Sequence, residues 1–138
     1  MAAIEYLASL GGSAASGRRD RLVTSYEAIA AHEGTLIDRF LSGIARLPRI
    51  RLWGIGDRAR LDERTPTFAI RLGDEHPSES AKRLAERGVF VWDGDYYARE
   101  IMVRLGLQDS GGAVRVGFCH YHTLDEVDRV LEALSDLV

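Results

Sequence analysis

Three groups of residues carry side chains that could do chemistry. The first is Arg115, in the stretch AVRVGFCHYHT (residues 113–123). Val114, Val116 and Phe118 alternate as the buried face of a strand does. Arg115 is the one formal charge among them. A buried guanidinium is costly without an anion and cannot escape by losing its proton. Two readings stay open on the pattern alone. One is an edge-strand arginine that reaches water or pairs with a helix carboxylate. The other is a forked clamp for a substrate carboxylate, to which guanidinium geometry is suited. The second group is His120 and His122, two apart at the strand end. That spacing suits a metal pair, but Cys119 points the other way and no third ligand lies near. They read better as polar residues at a helix cap. The third is Asp93-Gly94-Asp95, which could offer carboxylates to a metal but reads as a turn, since Asp-Gly is a common turn signal.

Amine chemistry has a single candidate. Seventeen of the 18 basic residues are arginine, and Lys82 is the only lysine. It sits in SESAKRLAERG, a segment that reads as a solvated helix. No glycine-rich phosphate loop and no G-x-S-x-G elbow is present. Gly111 and Gly112 precede a strand and do not open a helix.

The composition bounds what these residues can serve. The chain has 138 residues, 46% hydrophobic and 28% charged, which fits one soluble domain. The net charge of −3 comes from interspersed signs. It gives no support to nucleic-acid binding, which would show a basic stripe. No run approaches the ~20 apolar residues of a membrane span. MAAIEYLASLGGSAASG lacks the pattern of a signal peptide, so a cytoplasmic location is expected, with neither membrane nor nucleic acid as partner. The single Cys119 excludes an internal disulfide framework.

The elements that must position these residues read as follows. Residues 2–10 form a helix end stopped by Gly11 and Gly12, and GGSAASG is a linker. From Arg18 to Leu47 the apolar residues Leu22, Tyr26, Ile29, Leu36, Ile37, Phe40, Leu41, Ile44 and Leu47 mark one helical stripe. Glu33-Gly34 offers a kink. At about 40 Å this helix is longer than a domain of this size can cover, so part of it should pack on something else. RIRLWGI and TFAIRL form an antiparallel strand pair. HPSESAKRLAERG is a short helix, with Ser78 at its cap or first turn and Gly88 as its stop. VFVW is a strand, YYAREIMVRLGL a helix, and DSGG turns the chain into the strand of Arg115. Thr123 and Glu126 form a capping box. The last helix places Leu124, Val127, Val130, Leu131 and Leu134 on one face. The order predicts an α+β two-layer sandwich: a small, mostly antiparallel sheet with helices on one face, preceded by a long helix.

The C-terminal third, GGAVRVGFCHYHTLDEVDRVLEAL, resembles the close of class V aminotransferases and cysteine desulfurases, the fold-type I enzymes that use pyridoxal phosphate. Their chains commonly end with Arg-x-Ser, a few apolar residues, Tyr-Asn-Thr and an acidic-start helix. Arg115, Tyr121, Thr123, Glu126, Val127 and Asp128 fall in register with that pattern, with Gly117 for the Ser and His122 for the Asn. LAERGVFVWDGDYYA is similar to the family's strand leading into an active-site turn. The resemblance implies that residues 18–138 are the C-terminal small domain and residues 1–17 a remnant of its connection to the large domain. It implies that Arg115 grips the α-carboxylate of an amino-acid substrate, with Trp92 and Tyr97 of the adjoining turn also binding substrate. In one desulfurase branch that turn reads Arg-x-Gly-His-His-Cys-Ala, the Cys carrying the persulfide. Tyr97 stands at that Cys position, which speaks against sulfur transfer by this route. Pyridoxal phosphate and its imine-forming lysine would belong to a large domain, in the same or a separate chain. The isolated chain is then expected to be inactive, and a homodimer is expected. The alternative is a stand-alone α+β module that binds a ligand or pairs with itself.

Overall fold

The computed structural model describes residues 1–12 and 17–138. Residues 13–16, within the expected linker, lie outside the described residues. Helix α1 (Ala2–Ser9) is followed by α2 (Arg18–Ile44), β1 (Ile50–Trp53) and a short 3-10 segment at Arg58–Glu63. Then come β2 (Thr67–Leu72), α3 (Pro77–Ala85), β3 (Trp92–Gly94) and α4 (Arg99–Arg104). A 3-10 turn at Gln108–Ser110, β4 (Ala113–Gly117) and α5 (Leu124–Ser135) complete the chain. The four strands form one antiparallel sheet in the order β1-β2-β4-β3, so the strand of Arg115 is central and not an edge. The fold class is the α+β sandwich that the element order implied. No described helix is long and apolar enough to cross a membrane.

Alternation along the strands builds the core. Leu52, Phe68, Ile70, Leu72, Val114 and Val116 turn one way, toward Leu36, Ile37, Phe40, Leu41 and Ile44 of α2, Leu84 of α3 and Val127 and Leu134 of α5. Phe40, Phe68 and Phe118 interlock at its centre, with ring centroids 4.3, 5.5 and 6.2 Å apart. Such offset and edge-on contacts suit aromatic quadrupoles. Gly43 lets α5 approach α2 closely: a Cβ there would lie 2.3 Å from Leu131 Cδ1. Thr123 and Glu126 close the capping box at the start of α5 as expected. Leu124 is exposed, so it is not part of the buried stripe.

Helix α2 runs unbroken through Glu33-Gly34, without the expected kink, and ends at Ile44 before a turn. Its buried apolar residues begin at Leu36; in the N-terminal half, which packs on α1, Ser25 is buried but Tyr26 is exposed. The segment expected as the strand VFVW behaves differently. Gly88, at positive φ, closes α3, and the Val89 N–H donates to Leu84 O at 3.0 Å. That hydrogen bond ties Val89 to the helix end, so pairing with β4 starts only at Trp92. Asp93 and Gly94 consequently lie in the strand. The turn comes two residues later, at Asp95–Ala98, and α4 starts at Arg99 rather than Tyr96. His76 caps α3, its ring accepting from the Ser78 N–H, and Ser78 falls in the first turn.

Candidate functional site

The outward face of the sheet carries a cross-strand row. Trp53 pairs with Ala69, Ala69 with Arg115, and Arg115 with Trp92. Direct partners in an antiparallel pair share a face, so an indole, a methyl, a guanidinium and a second indole lie side by side. Val114 and Val116 face the core and fix the backbone on either side of Arg115, while its own side chain is exposed. The expectation of a buried guanidinium is therefore corrected: alternation turns Arg115 away from the core. It makes no ion pair or hydrogen bond among the described residues, and its guanidinium carbon lies 5.8 Å from the centre of the Tyr96 ring.

The turn after β3 frames this arginine. Ala98 N–H donates to Asp95 O at 2.7 Å, and Tyr97 N–H to Asp95 Oδ1 at 3.0 Å. The two central residues, Tyr96 and Tyr97, have φ of +52° and +64°. Two bulky residues in succession at positive φ are unusual, each costing about 1–2 kcal/mol. Tyr97 is 99% exposed and Trp92 62%. The Tyr96 hydroxyl is buried without a partner, and burial pushes its phenol far above the ordinary range against the lowering effect of Arg115. Helix α4 and the segment after it close one side of the face, where Met102, Leu107 and Ala113 pack with Trp53, Ala69 and Tyr96.

Sequence reasoning missed a second arginine. Arg71 occupies the same outward face of β2, yet it is 8% exposed. Its Nη1 donates to Ser110 O (3.2 Å), Ser110 Oγ (3.0 Å) and Gly112 O (3.0 Å), and its Nη2 to Glu75 O (3.2 Å). Among the described residues no carboxylate meets it; carbonyl and hydroxyl oxygens do, and Nε has no partner there. It pins the turn that leads into β4. Gly112 is held so close that a Cβ there would lie 2.1 Å from Gly94 O, which explains the glycine.

The remaining candidates are not brought to this face by any contact. His120 Nε2 shares a hydrogen bond with Tyr6 OH at 3.0 Å. His122 Nδ1 accepts from the Cys119 N–H at 2.9 Å, and its carbonyl accepts from His32 Nε2 at 2.8 Å. Both histidines thus serve the chain's own structure. Lys82 is exposed on α3. A cleft of about 170 Å³ between Val89–Val91, the end of β4 and α5 is not lined by Arg115.

Comparison with known proteins adds a separate line of support. Residues 9–130 match the family described as aminotransferase class-V. The chain is 32% identical over 137 residues to protein MT3887 of Mycobacterium tuberculosis, covering 99% of this chain and 33% of that one. It is 29% identical over 134 residues to a probable cysteine desulfurase of Streptomyces coelicolor, covering 97% of this chain and 27% of the relative. The fold superposes on an apo cysteine desulfurase of Thermococcus onnurineus NA1 with a TM-score of 0.76 and 25% identity, over 88% of this chain and 28% of that one. The chain thus spans a third or less of these relatives. On a match that runs through nearly its whole length, the chain belongs to the aminotransferase class-V family.

Proposed function

We propose that residues 18–138 are the small C-terminal domain of a pyridoxal-phosphate-dependent class V enzyme, and that Arg115 holds the carboxylate of an amino-acid substrate. One observation carries this reading. Arg115 stands exposed on the outward sheet face, fixed at the backbone and without an anion among the described residues, at the position where the family pattern places its carboxylate arginine. A guanidinium that meets a carboxylate there forms two parallel hydrogen bonds and orients the α-carbon attached to it. Trp92 and Tyr97 flank the approach. Residues 1–17 connect to a large domain, in the same or a separate chain, that covers this face, and two such units form a dimer.

The residues of this chain do not fit the cofactor. Its one lysine, Lys82, projects from α3 into solvent, on an element that packs against the other side of the sheet. The lysine and the phosphate site are therefore assigned to the large domain, and the isolated chain is inactive. Tyr97 at the position of a persulfide-carrying cysteine directs the reading toward chemistry at the α-carbon other than sulfur transfer.

Titration of the ¹⁵N-labelled chain with propionate tests the assignment at the Arg115 side-chain Nε–H resonance. A saturable shift, absent in Arg115→Met, is expected, with a dissociation constant of tens of millimolar or weaker, as exposed ion pairs give. An Arg115 resonance that ignores propionate refutes the carboxylate site. A second reading, a self-pairing module, draws on the exposed Phe90, Trp92, Ile101 and Val103. Sedimentation equilibrium decides it: a concentration-dependent dimer of this chain alone supports it, and a monomer refutes it.

A further inference from the structure

We propose that Trp92, the cross-strand neighbour of Arg115, selects the substrate's side chain, so that the Arg115 site takes carboxylates bearing an aromatic or large apolar group. This rests on the carboxylate reading of Arg115 and adds the class of substrate.

The argument begins with the row itself. A carboxylate bound by Arg115 has two neighbours along it, Trp92 on one side and Ala69 on the other. Directly opposed residues have Cβ atoms about 4.5–5.5 Å apart, so the Trp92 indole stands within reach of whatever the guanidinium holds. On the other side Ala69 and Trp53 are packed against Met102, Leu107, Ala113 and Tyr96, which closes that direction. A substituent leaving the carboxylate is therefore steered toward Trp92. Behind the guanidinium the Tyr96 ring supplies a third aromatic surface at 5.8 Å. The turn that holds Tyr96 also bears Tyr97, which is fully exposed at positive φ.

The row contains no group that would single out a polar side chain. Trp53, Ala69 and Trp92 offer no hydroxyl, amide, thiol or carboxylate, and the Trp92 indole has no hydrogen-bond partner among the described residues. Burying an exposed indole under an apolar ligand is favourable at roughly 25 cal/mol per Å². A methyl- or thiol-sized substituent would cover little of it. Of the other arginines on this face, Arg71 is held by Ser110, Gly112 and Glu75, whereas Arg51 lies over the Trp53 ring at 4.8 Å and could draw a second carboxylate.

Three acids, propionate, 3-phenylpropionate and glutarate, separate the possibilities when followed at the Arg115 Nε–H and Trp92 indole resonances of the chain. We expect 3-phenylpropionate to bind roughly five-fold tighter than propionate, the ratio that an aromatic contact of about 1 kcal/mol gives. Trp92→Ala should bring the two within two-fold of each other, and Trp92→Phe should restore most of the preference. Trp92 is exposed, so an otherwise unchanged amide spectrum verifies the fold of both variants. Equal binding of propionate and 3-phenylpropionate by the unaltered chain overturns the aromatic preference and leaves the carboxylate site standing. A ratio untouched by Trp92→Ala overturns the role of Trp92. Glutarate binding tightest overturns the apolar class in favour of Arg51. A silent Arg115 resonance with all three removes the site itself.

Discussion

Replacing Arg71 by methionine tests how the turn before β4 is held. Methionine keeps an unbranched stem and removes the guanidinium. Four hydrogen bonds go with it: two to Ser110, one to Gly112 O and one to Glu75 O. The Gly112 bond lies in buried surroundings, so stranding that carbonyl costs about 1–3 kcal/mol. The other three are only partly buried; water can replace the lost donor, at about 0.5 kcal/mol each. Against this stands a gain. Removing a cation that sits at 8% exposure, with no counter-ion among the described residues, returns part of its desolvation cost.

The net expectation is a loss of about 2 kcal/mol, or roughly 8 °C in the melting midpoint for a chain of this size. Urea unfolding followed by circular dichroism measures it, with an unchanged slope as the check that the compact states are the same. The loss should be local in origin. Amide exchange at Ala113 and Val114, which pair with β3 and β2, should accelerate more than at Leu36 or Phe40 of α2. Arg71→Lys, which keeps a charge but not the fork, should lose about half as much. The reasoning fails if Arg71→Met is as stable as the parent. The cation would then be merely tolerated, as buried ions replaced by apolar groups sometimes reveal.

Two further substitutions have signs fixed by local geometry. Tyr97→Gly should stabilise the chain by about 1 kcal/mol in thermal unfolding, because φ of +64° suits glycine and the exposed ring gives up no packing; destabilisation would show that the turn is not strained. Burial pushes the Glu75 carboxyl up, but hydrogen bonds from Ser80 Oγ (2.6 Å) and Arg83 Nη1 (2.7 Å) outweigh it and hold the group below its ordinary value. A carboxyl lowered on folding contributes stability above its unfolded value near 4.5 and loses it as pH falls through the folded one. Glu75→Gln should therefore be less stable than the parent at pH 7, with the two stability curves converging below about pH 4; a constant gap down to pH 2 would refute the linkage.

The features legible in the sequence were those decided within a few residues. Thr123 and Glu126 need only each other, and the stripe Leu36, Ile37, Phe40, Leu41 and Ile44 needs only helical spacing. Which outward-facing residue stays wet was not legible. Arg71 and Arg115 share one sheet face and the same alternation, yet one is buried and the other exposed. The segment 108–112 folds back over Arg71, and nothing in TFAIRL or AVRVG encodes that. The Asp95–Ala98 turn was hidden for another reason. It uses two tyrosines where turn chemistry prefers Asn and Gly, while the Asp93-Gly94 pair that announces a turn belongs to the strand. Departures from local rules of this kind are expected where a turn is kept for function.

The geometry of Arg115 sets a limit on what it can do alone. Val114 and Val116 fix its Cα, but its side chain is exposed to water. The cost of ordering such a side chain leaves an exposed ion pair with only about 0–1 kcal/mol net, well short of tight binding. Tyr96 recovers part of the difference as a wall at 5.8 Å, and an aromatic substituent over Trp92 recovers more. The rest must come from whatever covers the open face, since excluding water strengthens a guanidinium–carboxylate pair several-fold. For the carboxylate role proposed for Arg115, the sheet would supply position, and closure of the face would supply the low dielectric in which position becomes affinity.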